Sequence, residues 1–255
     1  MERRRQERCP PSRKRQGESA RMTLRVMSWN ILQGGGKRIQ GIVDALEALE
    51  PAVLTLQEYR HGRQSGHVID ALDRLSLVHR HIPAYKPGKN SVLIASRYPL
   101  VVEPWQDGLD AALAIRASID APRGPLDVLA AHLPHKREQR PYLEFLADQR
   151  ALVDTPAMII GDLNCGIPFE DSDTRTFENT HVFQSLLKRG WTDIWRSRHH
   201  SAREFSWISH RGNGYRYDHC LCTASLDARV RSVHYEHALR ESGLSDHSAL
   251  LVELD

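Results

Sequence analysis

Short apolar runs, each followed by a polar or acidic residue, recur along the chain from residue 23 onward and constrain its fold most strongly. Apolar runs of about four to eight residues are typical of strands buried within sheets. Clear examples are AVLTLQ at 52–57, SVLIAS at 91–96 and AMIIG at 157–161. Because strands this apolar need cover on both faces, the sequence predicts stacked layers of secondary structure.

Helical patterns are fewer and lie between the strand patterns. The apolar spacing predicts a helix over 37–50 ended by Pro51, a second around 68–75, a third from Pro141 to Val153, and a short fourth from Thr180 ended by Gly190. Since strands and helices do not alternate strictly, the pattern indicates an α+β protein. Two packed sheets with helices outside would account for so many buried strands.

The N-terminal segment differs from the rest of the chain. Residues 1–21 hold eight Lys/Arg and three Glu, whereas the whole chain has a net charge of +3, so the other 234 residues carry −2. Without apolar periodicity, residues 1–22 are predicted to be a disordered basic tail, and 23–255 to form one domain. The tail is either an arm for an anionic surface or a segment upstream of a true start at Met22.

Cellular location is predicted from features that the sequence lacks. No apolar stretch approaches 18 residues, so no stable membrane insertion is expected, and no apolar secretion signal opens the chain. The four cysteines match no zinc spacing and are expected to be reduced thiols. We therefore expect a cytoplasmic protein.

Polar side chains cluster at the ends of the predicted strands, where rigid backbone can hold functional groups. Eight such residues in one domain are explained most simply by a cleft at one edge of a sheet pair. They are Asn30, Glu58, His132, Asp162 with Asn164, Asp218, and Asp246 with His247.

These residue types indicate a reaction class. Carboxylate and amide oxygens are the ligands that Mg²⁺ or Mn²⁺ prefers over Zn²⁺. A histidine supported by aspartates suits a general base, and a second histidine suits a general acid or a phosphate contact. Metal, base and acid together predict hydrolysis of a phosphoester by water.

A later segment, residues 195–218, mixes arginines with aromatic residues. Arginines bind phosphates and aromatic rings stack on bases, so the segment is a candidate for substrate binding, and we select Arg216 and Trp207. The alternative is a solvated loop followed by a packed hairpin, which Asn213-Gly214 predicts.

Seven segments occur in an order that resembles the endonuclease/exonuclease/phosphatase superfamily. That superfamily includes pancreatic-type deoxyribonuclease, abasic-site endonucleases, sphingomyelinases and inositol-polyphosphate phosphatases. The segments are MSWNI (27–31), LQEY (56–59), SRYPL (96–100), AHL (131–133), GDLN (161–164), YDHCL (217–221) and SDHSAL (245–250). The resemblance implies a four-layer α/β/β/α sandwich of two mixed sheets flanked by helices.

The resemblance also implies a metal site. Glu58 resembles the principal metal ligand of the family, with Asn30 and Asp246 near the metal. The expected cofactor is Mg²⁺ or Mn²⁺.

The remaining roles concern the reacting groups. His247 matches a histidine paired with a buried aspartate, here Asp218. Asp162 and Asn164 match the pair that orients water and contacts the phosphate. His132 matches a histidine of the deoxyribonuclease and sphingomyelinase branches, where the abasic-site branch has a tyrosine. Whether His247 or Asp162 activates the water is left open.

The substrate is less constrained than the chemistry. The first choice is a phosphodiester substrate in DNA, cleaved by a metal-dependent nuclease. A phosphodiesterase or phosphatase for small-molecule or lipid-headgroup esters is the second choice, since a domain charge of −2 disfavours tight DNA binding. A non-catalytic binding protein on the same fold is a remote third choice, because no expected ligand or base is missing. No obligatory protein partner is predicted.

Overall fold

The computed structural model describes residues 23–84, 86–103, 109–149, 152, 154–175 and 177–255. The predicted tail, residues 1–22, lies outside the described residues. The strands are β1 (Leu24–Asn30), β2 (Val53–Tyr59), β3 (His79–His81), β4 (Ser91–Ser96), β5 (Leu100–Glu103), β6 (Ala114–Ala121), β7 (Gly124–His132), β8 (Ala157–Asp162), β9 (Thr192–Asp193), β10 (Trp207–Ile208), β11 (Gly214–Tyr215), β12 (Asp218–Cys222), β13 (Val230–Glu236) and β14 (Ala249–Leu254). The helices are α1 (Ile39–Leu49), α2 (Ser65–Arg74), α3 (Arg140–Ala147), α4 (Thr180–Lys188), α5 (Ile194–His199), α6 (Ala224–Asp227) and α7 (Ala238–Glu241), with 3₁₀ turns at Gly36–Arg38 and Lys136–Gln139.

The long strands form two six-stranded sheets. The first has the order β13-β14-β1-β2-β4-β3, and the second has the order β5-β6-β7-β8-β12-β9. Each sheet contains one parallel pair, β1 with β2 and β7 with β8, among antiparallel neighbours. Both sheets are therefore mixed, as predicted.

Apolar side chains fill three layers. One cluster lies between the sheets and joins residues such as Val26, Ile94, Val128 and Ile160. A second lies between the first sheet and α1 and α2, and a third between the second sheet and α3 and α4. Strands buried on both faces explain the continuous apolar runs of the sequence. The fold is the predicted four-layer α/β/β/α sandwich.

Strand directions bring many chain segments to one edge of the sandwich. The strands of the parallel pairs end there: β1 with Asn30, β7 with His132 and β8 with Asp162, while Glu58 is the penultimate residue of β2. Strand β12 runs antiparallel to β8, with Asp218 opposite Asp162. Strand β14 runs antiparallel to β1, so the segment before it reaches the same edge.

Strands β7 and β8 approach each other closely beside this edge. Gly161 has φ +144°, and a Cβ placed on it would lie 1.9 Å from the carbonyl oxygen of Ala131. Only glycine fits this position, which explains the Gly-Asp at the end of β8.

The elements differ from the sequence expectations in a few places. Strands β3, β5 and β9 were not predicted, because they are short and their positions at or near sheet edges need no strong apolar pattern. The hairpin predicted at Asn213-Gly214 is formed by the short strands β10 and β11, and β12 begins only after a break. Helix α3 ends at Ala147, and Val153, predicted on the same face, lies outside the described residues. Among the described residues, no helix is long and apolar enough to cross a membrane.

Candidate active site

A buried histidine–aspartate pair lies at the centre of the edge. The Nδ1 atom of His247 is 2.8 Å from Oδ2 of Asp218, and both side chains are buried. The indole N–H of Trp29 donates to the carbonyl of His247 at 3.1 Å, and the amide of Asp218 donates to Oγ of Ser206 at 3.1 Å. Trp29 on β1 therefore fixes the backbone at His247, and Ser206 fixes the backbone at Asp218.

The charges around His247 favour its protonated form. Burial alone would lower its pKa, but the carboxylates of Asp218 and Asp162 outweigh burial and raise the pKa to about 10. With Nδ1 held by Asp218, the imidazole presents Nε2 to the cleft as a hydrogen-bond donor.

Asp162 lies between two histidines. Its Oδ2 is 3.7 Å from Nε2 of His247 and 3.8 Å from Nε2 of His132. The same oxygen accepts a hydrogen bond from the Asn30 amide at 3.0 Å, and Oδ1 accepts one from the backbone amide of Asn164 at 3.1 Å. The Asn164 side chain donates to the carbonyl of Leu133 at 2.8 Å. Asp162 is thus fixed in orientation while it faces both imidazoles.

The three residues expected near a metal reach this edge from the first sheet, Asn30 and Glu58 at the ends of β1 and β2 and Asp246 in the loop before β14. Oε2 of Glu58 accepts a hydrogen bond from the amide of Gln33 at 2.7 Å, and Oδ1 of Asn30 accepts one from the amide of Leu32 at 3.0 Å. The carboxylate of Asp246 is different, because Oδ2 accepts from Trp207 at 3.0 Å while Oδ1 is buried without a protein partner.

An orphaned carboxylate oxygen is costly unless something else binds it. Two carboxylates and one amide oxygen also match the oxygen-rich ligand set of a hard divalent cation. The residues present therefore fit a divalent metal at Asn30, Glu58 and Asp246.

A second group of possible ligands is formed by Asp162, Asp218 and His247, whose candidate atoms lie within 4.8 Å of one another. A histidine must be neutral to bind a metal. Because the pKa of His247 is raised, this group suits proton transfer better than metal binding.

The structure does not bring Arg216 to the cleft, and its predicted substrate contact is wrong. Arg216 is buried with 1% exposure, and its guanidinium donates to Asp171 at 2.9 Å and to Asp193 at 2.6 and 3.1 Å. It also lies over the Trp195 ring, 5.2 Å from its centroid. Every donor nitrogen is thus used inside the protein, so Arg216 has a structural role.

Two cavities lie beside the site, one lined in part by His132 and the other by Asn164. The larger, of about 950 Å³, is lined by Glu58, His132 and five cationic side chains, namely Arg60, Lys86, Lys89, Lys136 and Arg137. The smaller, of about 390 Å³, is lined by Asn164 and by the aromatic rings of Phe177, Trp207, Tyr215 and Tyr217. Trp207, selected from the sequence, therefore lies beside the site.

His135 lies where these cavities meet and was not selected from the sequence. It lines both cavities, and its pKa is lowered chiefly by burial, with Asp162 opposing and His132 and His247 adding to the lowering. The signal that could have found it is its spacing, three residues after His132 in AHLPH.

Comparisons with known proteins find solved structures with a similar fold. No curated protein matches the chain. An AP endonuclease from Archaeoglobus fulgidus has a similar structure, with a TM-score of 0.74 and 22% identity over 91% of this chain and 99% of that chain. The 3'-5' exonuclease NExo from Neisseria meningitidis has a TM-score of 0.74 and 20% identity over the same shares. A 3' phosphatase form of NExo from Neisseria, bound to product DNA hairpin, has a TM-score of 0.71 and 21% identity, again over 91% and 99%.

These identities are low, so the solved structures establish the fold. The family model for the Endonuclease/Exonuclease/phosphatase family matches residues 27–247, which is most of the chain. The matched range runs from the first residue of the MSWNI segment to the histidine of the buried pair. The chain therefore belongs to the Endonuclease/Exonuclease/phosphatase family and is a phosphoric ester hydrolase.

Proposed function

We propose that this protein cleaves phosphodiester bonds in DNA with water and a divalent cation, Mg²⁺ or Mn²⁺. The observation that carries the proposal is the convergence of Asp162, the His247–Asp218 pair and an unsatisfied Asp246 oxygen beside a cavity rich in cations. Hydrolytic groups and phosphate-binding groups then share one cleft.

The chain's own residues divide the chemistry. His247, charged and held by Asp218, donates from Nε2 to a phosphoryl oxygen. Asp162 accepts the proton of the attacking water, since a histidine already protonated at neutral pH is a poor base. Asn164 and His132 orient the phosphate beside Asp162. Asn30, Glu58 and Asp246 would hold a divalent cation, which when bound would supply positive charge to offset the charge that develops on the phosphoryl oxygens.

The larger cavity favours a polymer over a small ester. Cations along the cavity wall suit several successive phosphates, and phosphate contacts by Lys and Arg supply most of the affinity for DNA. The aromatic side chains of the smaller cavity suit stacking on a base. The Neisseria 3' phosphatase bound to product DNA hairpin is consistent with such a substrate on this fold.

A specific observation also supports a small-molecule or lipid-headgroup ester. Asp110, Glu138 and Glu178 line the same cavity as the five cations, and the Lys86 ammonium is 3.2 Å from Asp110. These acids weaken the net field for a polyanion. This substrate class is therefore the second candidate.

A side-by-side hydrolysis assay tests the proposal. Plasmid DNA, a single-stranded oligonucleotide, bis-p-nitrophenyl phosphate and sphingomyelin are incubated with Mg²⁺ or Mn²⁺, with and without EDTA. We expect metal-dependent DNA cleavage that His247→Ala abolishes and that His234→Ala, an exposed histidine on β13, leaves intact. Cleavage of only the non-nucleic esters would favour the second candidate. Inactivity on all four substrates would contradict the proposed activity.

A further inference from the structure

Arg38 joins two loops that both lead to the proposed metal ligands. It ends the 3₁₀ turn Gly36–Arg38 just before α1. One guanidinium nitrogen donates to the carbonyl of Leu32 at 2.5 Å, and the other donates to the carbonyl of Leu244. The first carbonyl follows β1 and the second precedes β14, so one side chain connects segments that are far apart in sequence.

Each of these loops positions a ligand. The loop after β1 begins at Asn30, and its Gln33 amide holds Oε2 of Glu58. The loop at Leu244 leads within two residues to Asp246. A second contact between the loops, from Oγ of Ser245 to the carbonyl of Asn30 at 2.6 Å, supports the same arrangement.

The loop after β1 needs such support because of its backbone conformation. Leu32 and Gln33 have φ values of +52° and +54°, and the three glycines that follow also have positive φ. Non-glycine residues rarely adopt this region, and they keep it only where surrounding contacts hold them. The bond from Arg38 to Leu32 is one of those contacts.

Arg38 lies close to the proposed ligands but forms no direct bond with them among the residues that the structure describes. Burial lowers its pKa, whereas the charges of Asp246 and Glu58 oppose that lowering, so both carboxylates lie within electrostatic range. In the described part of the chain, Arg38 forms no ion pair with either carboxylate, and its donors go to backbone carbonyls. Arg38 therefore leaves the negative charge of both carboxylates unpaired, and Oδ1 of Asp246 has no hydrogen-bond partner among the described residues.

We propose that Arg38 is a positioning residue for the divalent-metal site. It holds the loop after β1, which contacts Glu58, and the loop that carries Asp246 at the separation that metal binding requires. This inference rests on the metal assignment of the proposed function. When a residue that orients a metal ligand without binding the metal itself is replaced, metal affinity typically falls about 10- to 100-fold.

The test measures Mn²⁺ binding to the full chain, without substrate, by electron paramagnetic resonance of free Mn²⁺. We expect Arg38→Met to raise the Kd for Mn²⁺ about 10-fold or more, and Arg38→Lys, which keeps the charge but not the double bridge, to raise it less. Arg97→Met is the matched control, because Arg97 also donates to two carbonyls, those of Leu75 and Glu50, away from the site. Its Mn²⁺ affinity should equal that of the wild type.

Several outcomes would overturn the inference. One is a folded Arg38→Met chain that binds Mn²⁺ as tightly as the wild type, or more tightly, as loss of a repelling charge alone would predict. If Arg38→Met does not fold, unchanged Mn²⁺ affinity in Arg38→Lys has the same meaning. Wild-type affinity in Glu58→Gln would show that the bound Mn²⁺ lies elsewhere and would also reject the proposal. Normal Mn²⁺ binding by a wild-type chain that cleaves no ester would instead contradict the proposed function.

Discussion

At the scale of single residues, the state of His247 depends on Asp218. The carboxylate fixes Nδ1 at 2.8 Å and helps raise the pKa of His247 to about 10. Asp218 itself is buried and reaches the reaction only through the imidazole. Replacing Asp218 therefore changes the protonation of His247 while leaving the histidine itself in place.

We expect Asp218→Asn to lower kcat by roughly 10²- to 10⁴-fold, the usual contribution of a positioned proton-transfer group. Without the carboxylate, the pKa of His247 falls, so the protonated form disappears at lower pH and the basic limb of the kcat–pH profile moves to lower pH. Steady-state kinetics across pH in saturating Mg²⁺ would measure both effects. Asp120→Asn, at an exposed position on β6, is the control. An unshifted profile would contradict this role.

The sequence predicted most of the residues that meet at this edge, and the resemblance paired His247 with Asp218, but the partners of the buried and bridging arginines could not be predicted. Strand-end positions and the order of the segments identified Asp162 and His247, because a side chain at a strand end leaves a sequence signal. Arg216 was misinterpreted because its partners, Asp171 and Asp193, lie 45 and 23 residues away, and nothing in the local sequence indicates burial. Arg38 was missed for the same reason, since its bonds to carbonyls depend on the tertiary fold.

At the scale of elements, apolar pattern predicted the long elements and failed at the short ones. Helix α1 and strand β4 follow from periodicity and from a continuous apolar run. The two-residue strand β9 has no pattern of its own and is held by its pairing with β12 and by the contacts of Asp193. Tertiary contacts rather than propensity decide such elements.

The buried cluster around Arg216 joins β9, α5 and the loop at Asp171, and it predicts a stability effect. Burial alone would raise the pKa of Asp193, but Arg216 and His219 together outweigh burial and hold the pKa well below its ordinary value. We expect Arg216→Met to lower the free energy of unfolding at pH 7 by about 3–5 kcal/mol, because two buried carboxylates lose their partner. Urea unfolding measures this loss. Arg203→Met, which removes an exposed ion pair with Asp173, should cost about 0–1 kcal/mol.

The pH dependence has a definite sign. In the wild type the depressed pKa of Asp193 stabilises the fold above the unfolded carboxyl pKa, near 4, and this contribution is lost as the pH falls. In Arg216→Met the buried Asp193 carboxylate has lost the guanidinium cation and gains from protonation. The stability difference should therefore narrow as the pH falls from 7 to below 4. A constant difference would contradict the explanation through the Asp193 charge, and a selective loss of substrate affinity in the folded variant would restore a substrate role for Arg216.

At the scale of the whole molecule, charge is divided between two parts of the chain. Residues 1–21 carry +5 while the rest carries −2, so the proposed DNA substrate would meet a nearly neutral domain whose cations are concentrated in one cavity. Local charge can serve the bond that is cleaved, whereas long-range attraction would depend on the tail. The two interpretations of the tail therefore predict different effects of salt concentration on DNA binding.

A chain that begins at Met22 would separate these interpretations. We expect its urea unfolding midpoint and its kcat at saturating DNA to match those of the full chain, because β1 begins at Leu24 and the catalytic groups lie beyond it. If the tail is an arm for anionic surfaces, deletion should raise KM for DNA at low salt and make the slope of log KM against log salt shallower, by up to about 0.9 for each phosphate that the tail neutralises. Hydrolysis of bis-p-nitrophenyl phosphate is the control, since a small ester gains nothing from a distant arm. Equal slopes for both chains would instead contradict a role of the tail in DNA binding, with the larger cavity supplying the cations that bind the DNA phosphates.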